Sequence, residues 1–182
     1  MTVLLARRPE QHLARPPTTS TCSKYCYAGL NFGSYADRSP IIAYDGEAQP
    51  AYTMASFTQS TVPGCRTPHL WLDDGRSLYD AMGPDYTLLR FDPAINAGPL
   101  LAAAGKRGVP MVLVDVSAKD AAAFYRHKLV LSRPDQHVAW RGDHVPANAL
   151  ALVDLIRGTR ARLPTVTPAP TADDGSRRET LG

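Results

Sequence analysis

The chain has 182 residues, of which 44% are hydrophobic and 20% are charged, and its formal net charge is +3. This length and apolar content allow one domain of ordinary size with tails. Its basic residues are interspersed with acids, which argues against nucleic acid as a partner. The apolar start is interrupted at Arg7, too early for a signal peptide or a membrane span, so we expect no membrane association and a cytoplasmic location.

The first 62 residues divide into two parts. Residues 1–27 combine prolines with a Thr/Ser run and show neither helical nor strand periodicity, which predicts an unstructured lead. Within residues 28–62, the apolar run 41–44 is followed by Asp45-Gly46, a strong turn signal, and this predicts a strand. No neighbouring strand is evident, so we expect residues 29–44 to be exposed and to promote association.

The next segment has short elements. Residues 63–68 are predicted to form a loop, and 69–72 a buried strand that turns back at residues 73–75. Residues 77–82 are expected to form one helical turn.

The most informative stretch lies between residues 86 and 157. Short apolar runs predict strands, and Ala- and Leu-rich segments that end at Gly or begin at Pro predict helices. In chain order the predicted elements are strand 86–91, helix 100–106, strand 111–116, helix 120–127, strands 129–132 and 137–140, and helix 146–157. Pro134 presets φ in the turn between the last two strands, which predicts an antiparallel hairpin. The order β-α-β-α-β-β-α, within an α/β class, is that of the thioredoxin-like fold.

A thiol site is one candidate for chemistry. Cys65 lies four residues before His69, and a cysteine nucleophile needs a nearby base. Pro68 separates them and the following run looks buried, so we interpret the pair as a packed loop thiol and a strand-edge histidine. Cys22 and Cys26 have three intervening residues, whereas a thioredoxin-type redox pair has two.

Metal and nucleotide sites are not predicted. The histidines at 12, 69, 127, 137 and 144 lack ligand spacing on one helix, so we expect no zinc. Gly142-Asp143-His144 has no preceding Gly-x-Gly, a motif that occurs nowhere in the chain, and a nucleotide or flavin pocket is therefore not expected. We predict no catalytic, cofactor-binding or metal-binding residues.

Four separated segments resemble a known family. They are PGCRTPHLWL at 63–72, DGRSLYD at 74–80, YTLLR at 86–90 and RPDQHVAWRG at 133–142. In this order they are similar to the C-terminal third of FAD-dependent aromatic hydroxylases, the group A flavin monooxygenases of the phenol and 3-(3-hydroxyphenyl)propionate hydroxylase type. Residues 29–48 also resemble the end of that family's catalytic region.

The resemblance implies a domain plan. Residues 28–62 would be a remnant of the catalytic-domain end and linker, 63–160 a thioredoxin-like domain without CxxC, and 161–182, rich in Pro and Thr, a disordered tail. A thioredoxin fold carries its CxxC near what are here residues 91–97, which contain no cysteine, and this disfavours a thiol oxidoreductase.

The resemblance also implies a function. FAD and NAD(P)H would serve the complete enzyme, but the family's Gly-x-Gly-x-x-Gly and its later Gly-Asp motif are absent, so we expect this chain to bind no cofactor alone. It would be a non-catalytic packing or dimerisation module; alternatively, it is the working subunit of a split monooxygenase completed by a separate FAD-domain chain. Its partners would be a second copy or a flavoprotein. A truncated reading frame, a split gene or a stand-alone relative would each account for the absent motifs.

Overall fold

The computed structural model describes residues 28–159, so the predicted lead (1–27) and tail (161–182) lie outside the described residues. The strands of its sheet are β1 (Tyr86–Arg90), β2 (Met111–Asp115), β3 (Leu129–Ser132) and β4 (Val138–Gly142). The helices are α1 (Ala28–Phe32), α2 (Leu78–Met82), α3 (Gly98–Lys106), α4 (Ala121–Phe124) and α5 (Ala149–Ile156).

The four strands form one mixed sheet in the order β2-β1-β3-β4. β1 pairs in parallel with β2 and antiparallel with β3, and β3 pairs antiparallel with β4. From β1 onward the element order matches the predicted one. The predicted helix 120–127 is shorter than expected, because Tyr125 is extended and its hydroxyl donates to the Pro68 carbonyl in the buried interior.

The sheet is covered on both faces. Leu88 and Leu131 lie in one core with α3 and α5, whereas Leu89 and Val130 lie in a second core with α2. Neighbouring strand residues point to opposite faces, so a strand buried on both sides is apolar at successive positions. This explains the continuous apolar runs of β1 and β3.

The predicted hairpin between β3 and β4 is confirmed. The Gln136 amide donates to the Arg133 carbonyl at 2.9 Å, and the Arg133 amide donates to the His137 carbonyl at 2.8 Å. Gln136 has a left-handed φ of 63°, and the strand register shifts between Leu131 and Ser132. An extra turn residue in the left-handed region and a local bulge together match the right-handed twist of the strands.

The predicted strand 41–44 is wrong. Residues 40–42 form a turn and a bend, Ile42 is buried, and the Ala43 amide makes a single 2.8 Å hydrogen bond to the Ala139 carbonyl of β4. Residues 64–66 pair with the start of β4, where the Val138 amide donates to the Cys65 carbonyl at 2.9 Å. Residues 41–44 therefore touch β4 at one backbone hydrogen bond and do not pair along it as a strand. We name residues 28–62 the arm.

The predicted strand 69–72 is reduced to a single bridge between Trp71 and Ser77. The predicted turn is present, with Gly75 at φ 82°. Leu70 and Leu72 are buried but Trp71 is exposed, so only alternate residues of this run enter the core, contrary to our expectation. The helical turn predicted for 77–82 is confirmed as α2, and the Ser77 hydroxyl caps it by accepting from the Tyr79 amide at 3.2 Å.

Candidate functional site

One buried arginine holds the arm against the sheet. Only 3% of the Arg141 side chain is exposed. Its Nε donates to Asp45 Oδ2 at 2.7 Å, its Nη2 donates to Glu47 Oε2 at 2.5 Å, and its Nη1 donates to Thr61 Oγ1 at 3.3 Å. We name these four residues the Arg141 clamp. A buried guanidinium needs paired acceptors, and all three here belong to the arm.

The clamp also sets the charge state of Asp45. Burial alone would raise the pKa of this carboxyl, but the hydrogen bonds from Arg141 and from the Glu47 amide outweigh burial, and the pKa lies below its ordinary value of 3.8. Asp45 is therefore ionised at neutral pH and pairs with the guanidinium.

A second cluster joins the arm to the rest of the described chain across the surface. We name it the aromatic ladder; its members in spatial order are Phe57, Phe32, Arg66, Tyr79, His69 and Trp71. Successive ring centroids, or ring centroid and guanidinium carbon, lie 6.1, 5.6, 5.3, 5.2 and 5.1 Å apart. These distances are typical of aromatic pairs and cation–π contacts.

The middle of the ladder is held by hydrogen bonds. Arg66 Nη2 donates to Gln136 Oε1 at 2.6 Å, and Arg66 Nε donates to Tyr79 Oη at 3.3 Å. The Tyr79 hydroxyl donates in turn to the Thr67 carbonyl at 2.6 Å. The guanidinium is thus oriented between the rings of Phe32 and Tyr79.

Two rings of the ladder are open to solvent. Trp71 is 67% exposed and Phe32 is 47% exposed. α1 packs closely against the loop 53–56. A Cβ on Gly29 would lie 1.6 Å from the Thr53 carbonyl oxygen, so only glycine fits there. Phe32 is therefore presented on a packed segment of the arm.

The structure does not pair the two members of the candidate thiol site by a hydrogen bond. Cys65 is buried, and burial raises the pKa of its thiol. His69 Nε2 lies 2.9 Å from the Ser77 hydroxyl, and among the described residues no hydrogen bond joins His69 to Cys65. A buried, protonated thiol without a base is a poor nucleophile.

The other histidines are scattered. His12 lies outside the described residues, and His137 Nδ1 lies 3.0 Å from the Asp135 carbonyl oxygen. Residues 28–159 contain no group of three or more His, Cys, Asp or Glu side chains placed to hold a metal ion. Asp143 Oδ1 accepts from the Lys128 amide at 3.2 Å, so the Gly142-Asp143-His144 segment ties the end of β4 to the start of β3.

The segment 91–97 is held by packing and charge. Phe91 stacks on Tyr125 with ring centroids 4.4 Å apart, and Lys128 Nζ lies 3.0 Å from Asp92 Oδ2. Arg90 Nη1 donates to the Ile95 carbonyl at 2.8 Å.

In the described part of the chain, no helix is long and apolar enough to cross a membrane.

Neither the clamp nor the ladder was predicted from the sequence. A signal for the clamp exists, because Arg141 is a charged residue in an apolar strand and must find a partner. A signal for the ladder also exists: His69 and Trp71 alternate with two leucines, which indicates one buried and one exposed side. The partners in both clusters are distant in sequence and carry no local signal.

Comparison with known proteins identifies the family. Residues 60–163 match the family model described as aromatic-ring hydroxylase, C-terminal. The chain is 30% identical over 123 residues to the FAD-dependent monooxygenase opdD of Penicillium oxalicum, covering 64% of this chain and 23% of that protein. It is 28% identical over 150 residues to phenol 2-monooxygenase of a Pseudomonas species, covering 71% and 24%.

Solved structures agree with this result. RebC with bound 7-carboxy-K252c superposes with a TM-score of 0.67 at 36% identity, covering 77% of this chain and 26% of that one. The flavin-dependent monooxygenase PieE, in complex with FAD and substrate, gives a TM-score of 0.58 at 27% identity, covering 73% and 26%. The chain spans about a quarter of the length of these relatives. The resemblance of the four sequence segments is thus confirmed, and the chain belongs to the family of aromatic-ring hydroxylase C-terminal domains, whose relatives include FAD-dependent monooxygenases.

Proposed function

We propose that this chain acts as the C-terminal module of an FAD-dependent aromatic-ring monooxygenase and supplies packing and association rather than catalysis. The observation that carries the proposal is the family match over residues 60–163, together with relatives that are FAD-dependent monooxygenases. In this proposal residues 28–62 correspond to the end of the catalytic region and the linker. FAD and NAD(P)H then serve the complete enzyme, which we place in the cytoplasm.

The sheet supports a thioredoxin-like assignment for residues 63–160. A parallel β-α-β unit followed by an antiparallel hairpin, in the order β2-β1-β3-β4, is the arrangement expected of that fold. Cysteine is absent from residues 91–97, where the fold would carry its redox pair, and the segment is held by the Phe91–Tyr125 and Asp92–Lys128 contacts. We therefore propose a scaffold that has no thiol chemistry.

The cavity beside the loop 50–58 of the arm is too small for a flavin. The cavity there, lined by Phe32, Tyr35, Phe57 and Arg66 among others, measures about 20 Å³. That volume holds about one water molecule, far less than an isoalloxazine ring requires. Binding of FAD must then depend on a part of the complete enzyme other than this cavity.

The test is a flavin titration of the purified chain. We expect no quenching of FAD fluorescence, a colourless protein after gel filtration, and no NADPH oxidation in the presence of phenol. Stoichiometric yellow flavin that remains on the chain through gel filtration would overturn the proposal, because the module would then hold the cofactor itself.

A second candidate is the working subunit of a split monooxygenase, completed by a separate FAD-domain chain. The exposed rings of Trp71 and Phe32 in the ladder favour a partner, as do those of Tyr44 and Tyr52 elsewhere in the arm. The same surface also supports self-association, which deletion of residues 1–50 should weaken. Sedimentation of the chain, alone and with a flavoprotein encoded by an adjacent gene, separates the two: a dimer alone favours the module, and a flavin-loaded heterodimer favours the split enzyme.

A further inference from the structure

The aromatic ladder has the composition of an interface rather than of ordinary surface. Aromatic side chains and Arg are enriched at the centres of protein interfaces, where a few of them carry most of the binding energy. Trp71 is the most exposed large hydrophobic residue in the described part of the chain, at 67%. Burial of this apolar surface against a partner would lower the free energy of the complex.

The ladder is also pre-organised. Trp71 stands on a bridge to Ser77, whose hydroxyl caps α2 and contacts His69. Arg66 is fastened by Gln136 and Tyr79. A side chain already held in its bound position loses less conformational entropy on association, which favours docking of a rigid partner.

The arm, which carries Phe32 of the ladder, indicates which partner covers this surface. The RebC match covers 77% of this chain, more than lies beyond residue 59, so it includes part of the arm. The matched region is the C-terminal one and makes up 26% of the RebC chain. The remaining part of such a relative therefore precedes this region and joins it through the arm, where α1 ends at Phe32.

We propose that the aromatic ladder is the surface that docks the flavin-binding portion of an aromatic-ring hydroxylase, with Trp71 and Phe32 as its two anchors. The inference rests on the proposed function and adds the contact surface to it. Arg66, between the anchors, is oriented by neutral hydrogen-bond partners and so keeps its positive charge available to an acidic or aromatic group of the partner.

The experiment uses RebC, whose structure has been solved with reduced flavin. Its matching C-terminal quarter is replaced by residues 28–182 of this chain, and a photo-reactive phenylalanine analogue is placed at position 71 or, as a matched control, at position 112. Val112 is also an exposed apolar residue, at 43%, but lies on the free edge strand β2. We expect cross-links from position 71 to the RebC-derived portion and none from position 112.

Side-chain truncation gives a second measurement. We expect Trp71→Ser and Phe32→Ser to lower the flavin retained by the chimera after gel filtration about tenfold, as removal of an interface anchor does, and Val112→Ser to leave it unchanged. In the isolated full-length chain, Trp71→Ser should not move the unfolding midpoint, because the ring lies mostly in solvent. This separates docking from folding.

The outcomes distinguish the two proposals. Cross-links from position 71 that stay within the module, or flavin retention that neither truncation lowers, overturn the docking surface and leave the proposed function standing. Cross-links between two molecules at position 71 assign the surface to a second copy and also overturn it. A chimera in which the module is folded but no flavin is retained contradicts the proposed function itself.

Discussion

In the Arg141 clamp, we expect removal of the negative charges to lower the free energy of unfolding more than removal of the arginine. In the first variant, Asp45→Asn with Glu47→Gln, the guanidinium keeps acceptors of the same shape but loses its counter-charges. In the second, Arg141→Met, the charge is removed and both carboxylates stay. Because Arg141 is 3% exposed whereas Asp45 and Glu47 are 33% and 50% exposed, the unpaired carboxylates can be hydrated and the unpaired guanidinium cannot.

The magnitude follows from this difference in exposure. Breaking a buried ion pair by removing one partner typically destabilises by about 3 to 5 kcal/mol. We expect about 3 kcal/mol for the double carboxylate variant, because the charge left behind is buried. For Arg141→Met we expect about 1 to 2 kcal/mol, because solvent screens the carboxylates and Met retains part of the packing.

Urea denaturation followed by circular dichroism measures both values. A domain of this size shifts its melting temperature by about 2 to 4 °C per kcal/mol, so melting curves give an independent check. The control is Arg76→Met, which breaks the exposed 2.7 Å pair with Asp74 and should leave the midpoint nearly unchanged. If Arg141→Met proves as destabilising as the carboxylate variant, or more so, the reasoning from burial is refuted.

Three further predictions concern neighbouring features. The pKa of Asp45 is depressed in the folded chain, so its contribution to stability is full above the ordinary pKa of 3.8 and is lost as pH falls through the lower folded pKa; Asp45→Asn should flatten the stability profile below about pH 4, and an unaltered profile would refute this. Tyr125→Phe removes the buried hydrogen bond to the Pro68 carbonyl and should cost about 1 to 2 kcal/mol in urea denaturation, and an unchanged midpoint would contradict it. Trp140 is half-buried over Gly142, so Trp140→Ala should cost about half of the 3 to 5 kcal/mol lost from a full core position, and a full loss would show that the ring is a core element.

Local chemistry was sufficient to predict the type and order of the elements from residue 86 onward. The apolar runs of β1 and β3, the Ala-rich helix α3 and the Pro134 turn each carry their signal within a few residues, because strand and helix periodicity and turn preferences are local properties. The family resemblance was also readable, since its segments are contiguous. These features determined the order of elements and the assignment to aromatic-ring hydroxylase C-terminal domains.

Only the tertiary structure determined which segments pair with the edge of β4 and which distant side chains are in contact. Residues 41–44 have the composition of a strand, but only Ala43 bonds to β4, whose start is paired with residues 64–66. Arg141 hydrogen-bonds to Asp45, which lies 96 residues away in sequence, and Arg66 hydrogen-bonds to Gln136, which lies 70 residues away. Such pairs depend on how loops and sheet edges are brought together, and no residue's own sequence neighbourhood contains that information.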